Sequence, residues 1–249
     1  EMSDLEARIM QRMAAASKWF PLMEDGDRIL VGVSGGKDSL CLLEMLGRRQ
    51  RIRVPRIRVE AAHVRMREVE YETSVAYLKD FAAGCGVELH VLETGFARRD
   101  DSGTGHSGKP VCFLCSWARR KALFDFAQQG GFNKIALGHH QDDIILTALM
   151  NLTFQGSFST MPAYLEMRKM PLSIVRPLCY VPEALLEEWA MERGYEPQAK
   201  RCPHEHATNR TEIRTVLEQM ERLSVEARSS IWHALRSAGK LCERADKGI

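Results

Sequence analysis

Residues 34–39 have types and spacing that could do chemistry: they read Ser-Gly-Gly-Lys-Asp-Ser and follow the apolar run 30–33. Two adjacent glycines allow a close turn, so that amide N–H groups of the turn and of a following helix can point at one anion. Lys37 adds positive charge, and Asp38 and Ser39 can cap the helix. The spacing is not G-x-x-x-x-G-K-[ST], which excludes the common P-loop of NTPases. The hexapeptide predicts a pyrophosphate site, the alternative being a purely architectural turn.

A second chemical pattern is Cys112-Phe113-Leu114-Cys115, which we expect directly ahead of a helix over 115–129. Two thiolates three residues apart at a helix start can converge on one metal, because the turn brings both sulfurs to one side. The pair alone could equally be a redox couple, half of a zinc site or two buried thiols. The sequence has no second CxxC, and Cys202 lies in a predicted loop. Three cysteines would leave one coordination position open, which suits a metal site that binds a further ligand.

Polar residues also follow the predicted strand 134–138, where residues 138–143 read Gly-His-His-Gln-Asp-Asp. Carboxylate oxygens are ligands that Mg²⁺ prefers, and Mg²⁺ would bridge the phosphates of a nucleotide. We expect Asp38 and one or both of Asp142 and Asp143 to bind this ion, the alternative for the last two being a helix N-cap. For the two histidines of the segment, a hydrogen-bonding or core role stands beside a catalytic one.

The elements that must position these residues alternate along the chain. Strands are predicted at 29–33, 57–64, 87–92 and 134–138, and helices at 4–19, 38–47, 70–83, 115–129 and 141–152. Such alternation predicts an α/β fold with a doubly wound parallel sheet, in which ligands bind beyond the carboxyl ends of the strands. After residue 155, prolines punctuate short extended pieces, and helices are predicted at 183–193, 208–222 and 225–238.

The chain therefore divides into an N-terminal helix (1–24), a nucleotide-binding domain with the CxxC (25–180) and a small C-terminal helical extension (181–249). With 249 residues, 45% of them hydrophobic, it can bury a core of this size. No apolar run approaches the roughly 20 residues that span a bilayer, and the N-terminus lacks a signal-peptide core. We expect a soluble, cytoplasmic protein without membrane contact.

Charge and cysteine content refine the expected environment. The net charge of +2 does not by itself indicate nucleic-acid binding, but Arg119, Arg120 and Lys121 form a local basic cluster. Seven cysteines at uneven spacing indicate reduced thiols. Four of them are expected to be structural, namely Cys41, Cys85, Cys179 and Cys242. Four aromatic residues are expected in the core: Phe154, Phe158, Trp189 and Trp232.

Four motifs together resemble the tRNA 2-thiocytidine synthetases, which belong to the PP-loop N-type ATP pyrophosphatases with an adenine nucleotide alpha hydrolase-like fold. The motifs occur in the family's order over about residues 25–215: 34–39, the CxxC with 116–120, 134–144, and Val175-Arg176-Pro177-Leu178. The resemblance implies an ATP-dependent tRNA thiolase that adenylates a pyrimidine carbonyl, releases pyrophosphate and AMP, and replaces oxygen with sulfur. The implied product is 2-thiocytidine in the anticodon loop.

The resemblance also implies a set of site residues. Cys112, Cys115 and Cys202 would hold a [4Fe-4S] cluster. The family usually has a further cysteine pair where this chain continues Pro-His-Glu-His, so His204 and His206 are alternative third ligands. The residues expected to bind ATP are Val33, Ser34, Gly35, Gly36, Lys37, Asp38, Ser39, His63, Gly138 and His139. The catalytic residues are expected to be Lys37, Asp38, Asp142, Asp143 and Arg119, the last lying one helical turn beyond Cys115.

The implied partners are tRNA and an outside sulfur donor, such as a cysteine desulfurase or sulfide, and the resemblance leaves a homodimer open. A second class of function is compatible with the same motifs. In it, the chain would be an adenylating ligase or amidotransferase of the PP-loop superfamily, with the cysteines holding structural zinc.

Overall fold

The computed structural model describes residues 3–67, 70–71, 74–95, 111–196, 200–201 and 209–245. Its helices are α1 (Asp4–Ser17), α2 (Lys37–Arg49), α3 (Val75–Gly84), α4 (Val111–Gln129), α5 (Gln141–Gln155), α6 (Glu183–Arg193), α7 (Asn209–Leu223) and α8 (Ala227–Ser237). Its strands are β1 (Arg28–Gly32), β2 (Arg58–Met66), β3 (Glu70–Tyr71), β4 (Glu88–Thr94), β5 (Lys134–Leu137), β6 (Tyr164–Glu166), β7 (Ser173–Val175), β8 (Lys200–Arg201) and β9 (Cys242–Glu243).

Seven strands form one mostly parallel sheet in the order β4-β2-β1-β5-β7-β6-β9. Neighbours run parallel from β4 to β7, β6 is antiparallel to β7, and β9 is parallel to β6. The chain adds β2 and β4 outward on one side of β1 and then returns to place β5 on the other side. The carboxyl ends of β1 and β5 therefore flank the point where the strand order reverses, which is where open α/β sheets bind ligands.

Helices cover both faces of the sheet, which confirms the predicted α/β class. The larger apolar cluster, on the face of α2, includes Ile9, Leu42, Ile145 and Trp189, from helices α1, α2, α5 and α6 respectively. On the opposite face, α4 buries Leu123, Phe124 and Ala127 against the strands. These positions recur at the spacing of one helix face, which explains why α4 lies flat on the sheet. Its preceding turns are thereby held near the carboxyl ends of the strands.

The helix predicted over 70–83 is wrong at its start. Residues 70–71 form β3, which pairs antiparallel with β8, and α3 begins only at Val75. Ser74 sets that start, because its Oγ accepts the backbone N–H of Tyr77 as an N-cap. A two-residue strand whose partner lies far along the chain leaves almost no periodic signal in the sequence.

Trp189 and Trp232 are buried as predicted, whereas the expectation for two phenylalanines is wrong. Phe154 is 52% exposed and Phe158 is 41% exposed. The buried residues of α5 lie in its first half, from Asp142 to Ala148, so Phe154 lies beyond the part of the helix that packs on the core. Of the four cysteines expected to be structural, Cys242 is half-buried and the other three are buried.

The boundaries proposed at residues 25 and 181 stay a prediction. In the fold, the segments on either side are joined: α1 packs on α6, and β9 adds the last strand of the sheet. Among the described residues, no helix combines the length and apolar character needed to cross a bilayer.

Candidate active site

The loop of residues 34–39, here called the pyrophosphate loop, connects β1 to α2 at the point where the strand order of the sheet reverses. Its backbone turns at Gly35, whose φ of 92° lies in the left-handed region that favours glycine. The N-cap of α2 is Gly36, so the expected capping by Asp38 or Ser39 is wrong. The Ser39 hydroxyl instead closes the loop: it donates to the Gly36 carbonyl (2.9 Å) and accepts the N–H of Ser34 (3.2 Å). Because glycine has no capping side chain, the first-turn amides of α2 can serve an external anion.

A cleft of about 530 Å³, here the active-site cleft, opens beside this loop between the sheet and α4. Five residues expected to bind ATP or act in catalysis line it: Val33, Ser34, His63, Arg119 and His139. His63 is buried, and its Nδ1 donates to the Val33 carbonyl oxygen at 2.7 Å, which fixes the ring against the end of β1. The rest of the lining is largely apolar, including Leu123, Phe124 and Ile135. Such a wall with a few polar groups suits a flat heterocyclic ligand.

Gly138 joins the two polar motifs by close backbone contact. A Cβ at this position would lie 3.0 Å from the N and Cα of Ser39 and 3.0 Å from the carbonyl carbon of Asp38. Real Cβ atoms rarely come so near to backbone, so only glycine lets the end of β5 approach the first turn of α2 this closely.

The Lys37 ammonium lies among carboxylates at the front of the pyrophosphate loop. Its Nζ is 3.4 Å from Asp38 Oδ1 and 3.2 Å from Glu183 Oε1. Burial alone would lower the pKa of Lys37, but the two carboxylates outweigh that effect and raise it. Glu183 was missed by the sequence reasoning. Its only local signal is its place after Pro182 at the start of α6, and its proximity to Lys37 arises from packing of helices distant in sequence.

Asp38 shows the features of a carboxylate that would accept a cation. Burial raises its pKa, which His140 and Lys37 lower only in part. Its Oδ1 is buried, lies 3.4 Å from the Lys37 ammonium and accepts no well-formed hydrogen bond from the described part of the chain. A Mg²⁺ ion would satisfy such an oxygen, so the residues present fit this ion.

Asp142 and Asp143 already have protein partners. Asp142 accepts the N–H of Glu183 (2.8 Å) and forms an ion pair with Arg228. Asp143 accepts the N–H of His140 (3.0 Å) and pairs with Arg210. The N-cap of α5 is His140 and Asp143 lies at the third helical position, so the N-cap alternative for these aspartates is wrong. Their role in binding Mg²⁺ therefore stays a prediction. It would require Arg228 and Arg210 to move away from the two carboxylates.

The two histidines of the 138–143 segment face different surroundings. His139 lines the cleft and accepts a hydrogen bond at Nδ1 from Arg176 Nε (3.3 Å). Burial, together with the positive charge of Arg176, lowers the pKa of His139 to about 4, so the ring is neutral near pH 7. His140 is 2% exposed, and its Nε2 lies 3.4 Å from Asp143 and 3.9 Å from Asp38.

The cysteine pair lies within α4 and not ahead of it, because the helix begins at Val111. Positions 112 and 115 each precede by one helical turn a residue that lines the cleft, namely Ser116 and Arg119. The Cys115 side chain is half-buried. Thiols in the first turns of a helix favour the thiolate form that binds iron or zinc, so the two positions fit a metal–sulfur group at the cleft.

The proposed third ligand, Cys202, lies outside the described residues, as do its alternatives His204 and His206. The chain immediately before it is described. In the backbone register, Arg201 of β8 lies opposite Glu70 of β3, and Glu70 follows the carboxyl end of β2 by a few residues. This pairing brings residues 200–201 to the same edge of the sheet as the active-site cleft.

Comparisons with known proteins show which family this chain belongs to. A sequence model described as the PP-loop domain matches residues 4–221. A tRNA-cytidine(32) 2-sulfurtransferase of Bdellovibrio bacteriovorus is 34% identical over 88% of this chain and 83% of its own length. A tRNA-cytidine(32) 2-sulfurtransferase of Francisella tularensis is 34% identical over 94% of this chain and 87% of its own.

A solved structure shows the same fold at lower identity. It is the U34-tRNA thiolase NcsA from Methanococcus maripaludis with its [4Fe-4S] cluster, which is 18% identical, with a TM-score of 0.71 over 94% of this chain and 78% of that one. The chain belongs to the PP-loop domain family, alongside the tRNA-cytidine(32) 2-sulfurtransferases.

Proposed function

We propose that this protein is an ATP-dependent tRNA sulfurtransferase that makes 2-thiocytidine at position 32 of the anticodon loop. One observation carries the proposal: a single cleft is lined both by Ser34, the first residue of the pyrophosphate loop, and by the helix that bears Cys112 and Cys115. Nucleotide activation and sulfur delivery would thus meet at one place. The family relationship supports the general class, tRNA thiolation by a PP-loop enzyme.

The first half-reaction would activate the substrate base. The C2 carbonyl oxygen of a cytidine is a poor leaving group, so its attack on the α-phosphorus of ATP would form an adenylate and release pyrophosphate. The amides at the start of α2 would bind the departing pyrophosphate, and Lys37 would neutralise its charge. Asp38 would hold Mg²⁺, which when bound neutralises the nucleotide phosphates.

The second half-reaction would replace AMP with sulfur. Cys112, Cys115 and Cys202 would hold a [4Fe-4S] cluster, which when bound supplies a sulfur nucleophile at its open iron. Arg119 lines the cleft one turn beyond Cys115, where its fixed positive charge can orient the phosphate of the adenylate. Oxygen leaves as part of AMP and sulfur takes its place, so the reaction needs no net change of oxidation state.

The apolar walls of the cleft fit a base that has left its stack. Sequence-specific recognition of RNA relies mostly on single-stranded loops, whose bases can be splayed into a pocket. The neutral ring of His139 and the ring of His63, which is held against the end of β1, offer hydrogen-bonding edges in this cleft.

Metal analysis of anaerobically prepared protein tests the proposal against the ligase alternative. We expect a brown protein with about four irons per chain, since a [4Fe-4S] cluster contains four. Cys115→Ala should lose the iron and keep ATP binding by calorimetry, and Cys242→Ala, at a half-buried cysteine in β9, should keep both. A colourless protein that contains zinc and releases pyrophosphate without tRNA would favour a ligase.

A further inference from the structure

Helix α7 places two arginines at the carboxylates in front of the pyrophosphate loop. Arg214 Nη1 lies 2.6 Å from Glu183 Oε2, and Glu183 Oε1 lies 3.2 Å from Lys37 Nζ. Arg210, one turn earlier on the same side of α7, pairs with Asp143. One carboxylate therefore separates the Lys37 ammonium from a guanidinium that belongs to a helix distant in the chain.

The charged groups of this cluster are paired with one another. Its carboxylates are Asp38, Asp142, Asp143, Glu183 and Glu221, and its cations are Lys37, Arg210, Arg214 and Arg228. In this arrangement the Lys37 ammonium is shared by two carboxylates. An incoming pyrophosphate would meet the negative charge of Glu183 where it needs positive charge, unless that carboxylate moves aside.

We propose that Arg214 is a phosphate-binding residue of the nucleotide site, and that the Glu183 carboxylate occupies a phosphate position between Arg214 and Lys37 until nucleotide binds. The inference rests on the proposed function only in its use of a pyrophosphate-releasing reaction. A carboxylate that bridges two cations through its two oxygens has the same contacts that two oxygens of a phosphate group would make. Guanidinium groups bind phosphate through such paired contacts, and phosphate carries more charge than a carboxylate.

The surroundings of Glu183 permit this exchange. The side chain of Arg214 is 39% exposed, and that of Glu183 is 18% exposed, so the ion pair lies at the solvent edge of the cluster. Burial would raise the pKa of Glu183, but Arg214 and Lys37 outweigh it and lower that pKa. All three groups are therefore charged near neutral pH, and the exchange replaces one anion with another.

A purely structural ion pair is the competing explanation, in which Arg214 and Glu183 only hold α7 against α6. The two explanations differ in what removal of each partner does. Loss of either residue breaks the same ion pair, so a structural role predicts the same effect for both. A phosphate-binding role predicts opposite effects, because one variant removes a ligand for phosphate and the other removes its competitor.

The test is calorimetric titration of the full-length protein with pyrophosphate and Mg²⁺, without tRNA. We expect Arg214→Gln to weaken pyrophosphate binding about ten-fold or more, as loss of a charge-assisted hydrogen bond does. Glu183→Gln should bind pyrophosphate at least as tightly as the unmodified protein. Arg222→Gln, at an exposed position of the same helix, should bind it unchanged.

Thermal unfolding of each variant shows whether the protein is folded. Arg214→Lys keeps the positive charge, so its affinity for pyrophosphate should lie between those of Arg214→Gln and the unmodified protein. Unchanged binding in Arg214→Gln, or an equal loss in Arg214→Gln and Glu183→Gln, would overturn the proposal. Neither outcome depends on the identity of the thiolated base. A failure to find 2-thiocytidine would therefore reject the proposed substrate and leave this inference standing.

Discussion

Gly138 and Ser39 are in backbone contact, so that a Cβ on Gly138 would lie 3.0 Å from both N and Cα of Ser39. The first residue belongs to the end of β5 and the second to the first turn of α2. Because Gly138 has no side chain, the two polar motifs that follow β1 and β5 lie closer together than a methyl group at this position would allow. This contact sets the distance between the pyrophosphate loop and the carboxylates that follow β5.

We expect Gly138→Ala to reduce ATP turnover at least ten-fold, because the added methyl must push β5 and the pyrophosphate loop apart. Misplacing reacting groups by about 1 Å can cost roughly 100-fold in rate, so a smaller displacement can still cost ten-fold. Pyrophosphate release in the presence of tRNA measures the effect. Gly84→Ala is the matched control, since a Cβ at Gly84 would meet nothing within 4 Å. Equal turnover in the two variants would show that the contact is not needed for the reaction.

The buried position of His139 beside Arg176 predicts a pH dependence of stability. The pKa of His139 is lowered from 6.5 to about 4 in the folded protein, mainly by burial and then by Arg176. Between these values the unfolded chain binds the additional proton, so the free energy of unfolding falls as pH falls from about 6.5 toward 4. We expect a loss on the order of 1–3 kcal/mol from this group.

Urea unfolding at several pH values measures this loss. His139→Gln, whose amide oxygen can still accept from Arg176, should show a shallower pH dependence over the same range. Parallel curves for the two proteins would mean that His139 is protonated in the folded state as easily as in the unfolded chain.

A buried carboxylate anchors the helix that carries the pyrophosphate loop. Glu44 is 4% exposed and accepts from Tyr195 (2.6 Å), Arg48 (2.8 Å) and Arg193 (3.0 Å), which connects α2 to the α6 region. We expect Glu44→Ala to cost about 3–5 kcal/mol, because it leaves charged and polar partners uncompensated. The exposed Glu187 of α6 provides the control, and Glu187→Ala should change the free energy of unfolding by less than about 0.5 kcal/mol. A similar small change in both would mean that the buried network contributes little.

Basic residues at the mouth of the cleft should contribute to RNA binding. Arg120 is exposed and lines the cleft beside Arg119. We expect Arg120→Glu to weaken tRNA binding. It should also reduce the slope of log Kd against log salt concentration by about one or more, which is the contribution of one phosphate contact. Arg222→Glu, the same change of charge on exposed α7, should have a much smaller effect in the same filter-binding titration. Equal losses would indicate a response to net charge alone.

The parts of the site that could be predicted from sequence are those whose geometry is local. The turn at 34–39 and the polar end of β5 follow directly after their strands, so the alternation of elements was enough to bring Ser34 and His139 to one edge of the sheet. Glu183 and Arg214 gave no such signal, because their proximity to Lys37 depends on how α6 and α7 pack. Phe154 shows the same limit from the other side: an apolar residue in a helix is buried only where that helix meets the core.

The most direct test of the proposed function is mass spectrometry of nucleosides and RNase fragments from tRNA treated with the protein. The anaerobic reaction would contain iron-loaded protein, ATP, Mg²⁺ and sulfide. We expect 2-thiocytidine at position 32, formed only when ATP is present, lost in Asp38→Ala and retained in Cys242→Ala. The account is contradicted if no 2-thiocytidine forms under these conditions, if sulfur appears on a different base, or if Asp38→Ala yields as much product as the unmodified protein.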